Sequence, residues 1–199
     1  MRYFKHILLV VFVAFGLING QSGKQSIWSE SNFSGLKFRS IGPAFMSGRI
    51  SDIAIHPDNE SLWYVTVGSG NVWKTTNAGV TWTPIFDDQP SYSIGCVTID
   101  PTNSNTIWIG TGENLGGRHF GYGDGVYKSE NGGKSWTNMG LKKSEHISEV
   151  LIHPNDPNTI WVASQGPMWS SGGERGVYKS TDGGKNWSLV LKSNKWTGA

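Results

Sequence analysis

The sequence predicts an all-β fold, a β-propeller of four-stranded antiparallel blades, and three observations carry that expectation. A segment repeats three times, with its closing tryptophans Trp82, Trp136 and Trp187 spaced 54 and 51 residues apart. Each copy holds four short β-rich runs divided by turn residues, and none shows helical periodicity. Of 199 residues 27 are Gly and 10 are Trp, while only 16% are charged. That composition describes tight turns around a packed aromatic interior and excludes a disordered chain.

Residues 1–20 come first. Arg2, Lys5 and His6 precede an apolar run of 12 residues, Ile7 to Ile18, followed by Asn19 and Gly20. This reads as a secretory signal peptide cut near Gly20, because the run falls short of the roughly 18 to 20 residues that cross hydrocarbon. The expected location is therefore secreted, periplasmic or at the cell surface, with no membrane span after cleavage. Without Arg2 and Lys5 the chain carries 15 basic and 15 acidic side chains, so no nucleic-acid partner is expected. The single Cys96 has no intrachain partner and is expected inside a strand as packing. Residues 21–35 read as a linker, and 36–48, with Leu36-Lys37-Phe38-Arg39, as a candidate latch strand closing the ring.

The blades follow, over 49–86, 87–140 and 141–199, the last including a truncated end. In the first, an inner run Ile50 to Pro57 leads to Leu62-Trp63-Tyr64-Val65, then Val72-Trp73-Lys74-Thr75, then Trp82. The second repeats this from Ile94 through Trp108 and Val126-Tyr127-Lys128-Ser129 to Trp136, and the third from Ile147 through Trp161 and Val177-Tyr178-Lys179-Ser180 to Trp187. A ring closes with about four to eight blades. Further blades of a longer chain are thus the expected partners of these three.

Each third-to-fourth-strand hairpin carries one octapeptide pattern, built on Thr75, Asn77, Gly79 and Trp82, on Ser129, Asn131, Gly133 and Trp136, and on Ser180, Asp182, Gly184 and Trp187. The expected chemistry is a turn: Asn or Asp accepts from backbone donors two residues on, Gly permits positive φ, and Trp covers the hairpin. These octapeptides resemble the Asp-box, or bacterial neuraminidase repeat. With the Asp/His-Pro and Ile/Leu-Trp signatures, residues 36–197 resemble the sortilin-type propellers and their exported bacterial relatives, among them glycosyl-hydrolase-like proteins and xyloglucan-cleaving glycosidases. The sortilin likeness implies a peptide ligand, the glycosidase likeness a glycan. In the xyloglucan-cleaving relatives a catalytic Asp precedes a Gly-Gly-x-Tyr-Arg-like stretch; the matching stretch is Gly70 to Lys74, and the aligned position falls at about Gly68. Glycine supplies neither acid nor base, so no catalytic residue is assigned.

Residues that recur at one place in every repeat serve the fold. His56, Asp100 and His153 precede the Pro of the first turn, and Trp63, Trp108 and Trp161 are expected to pack between blades. Spacing shows where the repeats differ: from that Trp to the third-strand Lys is 11, 20 and 18 residues. Long insertions at one connection mark functional loops. On the face where they should gather stand Asp87, Asp88, Tyr92, Glu113, Asn114, Arg118, His119, Tyr122, Asp124, Glu145, His146, Trp169, Glu174 and Arg175. Arginine beside carboxylates, with Tyr, His and Trp, suits an extended peptide or carbohydrate. The alternative is that Arg118, Arg175, Glu113 and Glu174 pair with one another and merely shape the loops. No cofactor or metal is expected, since turn formation already accounts for the Asp and Asn residues within 57–61, 101–105 and 154–158. The reading is therefore an exported binding module, with glycosyl-hydrolase-like chemistry as the alternative.

Overall fold

Strand-forming runs bounded by Asn, Asp, Gly and Pro turns close into three four-stranded antiparallel sheets, each with its strands in chain order. The computed structural model describes residues 48–114 and 120–199. The signal-peptide segment, the linker, latch residues 36–47, Arg118 and His119 lie outside the described residues. The first blade comprises β1 (Ile50–His56), β2 (Asn59–Val67), β3 (Asn71–Thr75) and β4 (Thr83–Pro84). The second comprises β5 (Ile94–Ile99), β6 (Ile107–Thr111), β7 (Val126–Ser129) and β8 (Thr137–Asn138). The third comprises β9 (Ile147–His153), β10 (Asp156–Ser164), β11 (Gly176–Ser180) and β12 (Ser188–Leu191). The described residues form no helix.

The two-residue period of a strand sends alternate side chains to opposite faces, and the second blade uses both. Val97, Ile107, Ile109 and Tyr127 pack against Tyr64, Val72 and Phe86 of the first blade, while Cys96, Trp108 and Val126 pack against Val150, Ile160 and Val162 of the third. Inner strand β5 touches both β1 and β9. The Val97 N–H donates to Asp52 Oδ2 at 2.9 Å, and Thr98 Oγ1 donates to the Val150 carbonyl at 2.6 Å. Cys96 is free and buried, as expected, and burial pushes its thiol well above the usual range. The outward faces of the first and third blades leave Ile53, Ile55, Leu151 and Leu189 exposed.

The first turns work as the sequence suggests. His56 Nδ1 accepts from the Asp58 N–H, His153 Nδ1 from the Asn155 N–H, and Asp100 Oδ1 from Thr102 N–H and Oγ1. The hairpin octapeptides work differently from expectation. The hydroxyl takes the bond from two residues on, as Thr75 Oγ1 does from the Asn77 N–H at 3.3 Å, and also binds the Gly79 N–H at 2.9 Å. The amide or carboxylate oxygen reaches four residues on: Asn77 to Thr81, Asn131 to Ser135 and Asp182 to Asn186, each at 2.9 Å. In the first two turns the Asn amide donates to a hydroxyl, whereas the third reverses the roles and the Asp182 carboxylate accepts from the Asn186 amide at 2.7 Å. That bond, with those from the Asn186 N–H and Ser180 Oγ, holds Asp182 down at about 2.

Trp82 covers its own hairpin as expected, a Cβ on Gly79 lying 3.5 Å from its Cζ2, while the other two tryptophans reach further. Trp136 Nε1 donates to the Ile85 carbonyl at 2.7 Å and Trp187 Nε1 to the Met139 carbonyl at 2.8 Å, so each clasps the preceding blade rather than only covering its own hairpin. Trp82 instead meets Trp63 of its own blade edge-on at 6.4 Å.

Ala78 sits at φ 53° where the other two turns place Gly132 and Gly183. A Cβ costs about 1–2 kcal/mol in that left-handed region, more than the extra entropy glycine loses on folding. Ala78→Gly is therefore expected to stabilise the protein by roughly 0.5–1 kcal/mol in urea unfolding; a loss of stability would contradict this account of the turn.

Candidate functional site

The chain enters the inner strand of each blade through one residue, and these are Arg49, Ser93 and His146. All three converge on Glu113, in the link 112–125 between β6 and β7. Arg49 binds Glu113 Oε1 through Nε at 2.7 Å and also through Nη2. The Glu113 N–H donates to Ser93 Oγ at 3.0 Å, and His146 Nδ1 lies 2.9 Å from the Glu113 carbonyl. The residue entering each blade's inner strand thus bonds Glu113.

Glu113 is only 1% exposed and His146 0%. A carbonyl can only accept, so His146 carries its proton on Nδ1 and presents Nε2 as a bare acceptor. Burial pushes the His146 pKa below the usual imidazole range, against the opposing pull of the Glu113 carbonyl and charge, so the ring is neutral near pH 7. Among the described residues neither His146 Nε2 nor Glu113 Oε2 has a hydrogen-bond partner.

Aromatic side chains stand over this pair. Phe120 meets His146 edge-on at 5.0 Å and stacks with Trp169 at 6.3 Å and 12° between planes, while Tyr122 lies 5.5 Å from His146. Trp169 is 68% exposed and Tyr92 and Tyr122 are exposed as well. An exposed indole stacked on a ring beside buried acceptors is suited to a flat, hydroxyl-bearing ligand.

The remaining sequence candidates divide between scaffold and elsewhere. Arg175 is buried and spends its guanidinium on main-chain carbonyls, and Glu174 Oε2 accepts the Lys143 N–H at 2.7 Å. The alternative in which Arg118, Arg175, Glu113 and Glu174 pair with one another is thereby corrected for the three described residues: each has a different partner, and the cation facing Glu113 is Arg49. Asp124 Oδ2 accepts from Tyr127 Oη at 2.7 Å, a bond within its own blade. Asn114 gives its carbonyl to Gln165 Nε2 at 2.9 Å, and the Glu145 carbonyl accepts the Gly123 N–H at 2.7 Å. Asp87 accepts from Asn71 Nδ2 at 2.9 Å. With Asp88 it lines a groove of about 530 Å³ shared with Lys74, Pro84, Ile85, Gly132, Gly133 and Lys134, whose lining includes none of the Glu113 cluster. Sequence reasoning missed Arg49, Ser93 and Phe120. The signal available was that the residue entering the inner strand differs in type from repeat to repeat.

The family described as Sortilin, neurotensin receptor 3 (Sortilin-Vps10) matches residues 70–197. A probable oligoxyloglucan-reducing end-specific xyloglucanase of Neosartorya fischeri is 22% identical over 156 residues, covering 72% of this chain and 18% of that protein. A xyloglucanase of Hypocrea jecorina is 24% identical over 178 residues, covering 71% and 20%. Among solved structures, an ancestral GH74 enzyme is similar at 25% identity and a TM-score of 0.55, over 73% of this chain and 19% of that one. The chain thus spans about a fifth of the length of the curated relatives it matches.

Proposed function

The chain belongs to the Sortilin-Vps10 family, and from that premise we propose that it is part of an exported β-propeller protein that binds an extended carbohydrate ligand across the loops around Glu113. The observation that carries this reading is the stacked Phe120–Trp169 pair beside the buried Glu113 and His146. Sugar rings present flat C–H faces to indoles, and Trp169 is an exposed indole held by stacking. The similarity to xyloglucanases supports glycan over peptide. Further blades of the whole protein cover Ile53 and Ile55 on one flank and Leu151 and Leu189 on the other, since apolar faces of this kind are buried when a ring closes.

A second reading, glycoside hydrolysis by the whole protein, is favoured by the named activity of the relatives. Hydrolysis generally needs two flanking carboxyl groups, and the described site offers Glu113 alone. Titration of the whole protein with xyloglucan oligosaccharides, beside an assay for reducing ends, separates the two. We expect saccharide binding that weakens about tenfold or more in Trp169→Ala, as for a stacking platform. Equal affinity in Trp169→Ala and the parent would count against the platform, and release of new reducing ends would favour hydrolysis.

A further inference from the structure

Both interfaces between the described blades are closed by the same pair of contacts. The carbonyl that receives each clasping indole lies three residues beyond the preceding blade's own tryptophan: Ile85 follows Trp82 and accepts from Trp136, and Met139 follows Trp136 and accepts from Trp187. The side chain of that residue meets the second glycine of the incoming turn. A Cβ on Gly133 would stand 2.5 Å from Ile85 Cδ1, and one on Gly184 would stand 3.4 Å from Met139 Cε and 2.5 Å from Trp108 Cη2. Only a residue without a Cβ lets the turn seat so closely. Ile85 and Met139 are half-buried beneath these hairpins.

Counting the same three residues from Trp187 reaches Val190, which is 53% exposed in β12, the outermost strand of the third blade. Trp161 of that blade carries Lys179 Nζ 5.1 Å from its ring, as Trp108 carries Lys128, yet it is only half-buried. On the other flank Trp82 is 39% exposed, and a Cβ on Gly79 would meet within 4 Å only Trp82 and Trp63 of its own blade. One flank thus carries an unfilled seat and the other an unseated plug. We propose that a further blade of the same chain, bearing a turn of the same octapeptide type, docks on the third blade by donating its indole N–H to the Val190 carbonyl, and that Trp82 makes the matching bond to the blade before the first. The proposal rests on the further-blade reading above and assigns its contacts. Strand pairing by an added peptide along β12 would supply neither the indole nor the glycine turn, so the seat fits a whole hairpin. Plug and seat lie on opposite flanks, and head-to-tail contacts of this kind close a ring.

Hydroxyl-radical footprinting of the whole protein, read residue by residue by mass spectrometry, tests this without any variant, with Trp169 as the exposed reference. Trp82, Trp161 and Val190 are expected to label as slowly as Trp136 and Trp187, severalfold more slowly than Trp169, in a protein that runs as a monomer. Val190→Asp places a charge under the docked turn, and is expected to raise labelling at Trp161 severalfold while Trp136 stays protected. Slow labelling of Ile53, Ile55 and Leu151 with fast labelling of Trp82 and Val190 would overturn the clasp and leave the further blades standing. Fast labelling at all of these positions would overturn both. Trp161 still protected in Val190→Asp would overturn the seat on the third blade. Protection found only in a dimer, and lost on dilution, would show the flanks pairing between copies and overturn the assignment to one chain.

Discussion

Arg175→Ala is expected to cost at least about 3 kcal/mol of stability and to release the 165–175 loop together with Trp169, because five main-chain carbonyls lose one buried, charged donor at once. Arg175 donates from Nε to Gly172 at 2.8 Å, from Nη1 to Gln165 at 2.7 Å and Trp196 at 3.2 Å, and from Nη2 to Ser170 at 2.7 Å and to Pro167. The side chain is 7% exposed, so water does not replace those donors without opening the loop. Lysine is expected to rescue little, since one ammonium cannot span carbonyls arranged around a planar guanidinium. Urea unfolding measures the loss, and hydrogen exchange along 165–175 locates it. A loss below about 1 kcal/mol would mean that the loop holds its shape without the guanidinium. The same variant bears on function: Trp169 should lose its fixed place over Phe120, and saccharide affinity should fall even though the Arg175 guanidinium is spent on main-chain carbonyls.

Arg175 also shows why the site was only half legible in the sequence. Repeat phase gave the strands, the turns and the loops that differ, because hydrophobic alternation and turn residues are local signals. Partner choice is not local. Glu113 lies 64 residues from Arg49 and 33 from His146, and nothing in spacing distinguishes a carboxylate that pairs with Arg49 from one that pairs with Arg175. The clue that was present concerns equivalence. Arg49, Ser93 and His146 occupy one repeat position with three unlike side chains, so the inner strands bring unlike chemistry to the same place. The hairpin turns taught the converse lesson, since Asp182 with Asn186 and Asn77 with Thr81 are two solutions to one hydrogen-bond pattern, visible only when both ends are read together.

Trp108 is the position where repeat equivalence and burial part company, and its removal is expected to have the largest packing cost of the three matching tryptophans. It is fully buried between the second and third blades, edge-on to Trp187 at 6.5 Å, with Lys128 Nζ 5.5 Å from its ring. A Cβ on Gly184 would approach its Cη2 to 2.5 Å, so the third hairpin is already pressed against the indole. Trp63 and Trp161, at the matching points of the outer blades, are only half-buried. Trp108→Ala should therefore cost about 3–5 kcal/mol and loosen the third blade from the second, whereas Trp63→Ala and Trp161→Ala should each cost less than half as much while their faces are uncovered. Trp108→Phe separates packing from polarity. The indole N–H has no partner among the described residues, so removing it sacrifices no hydrogen bond, and phenylalanine should recover most of the alanine loss. Equal losses at all three positions in thermal unfolding would show that burial between blades is not what sets their contribution.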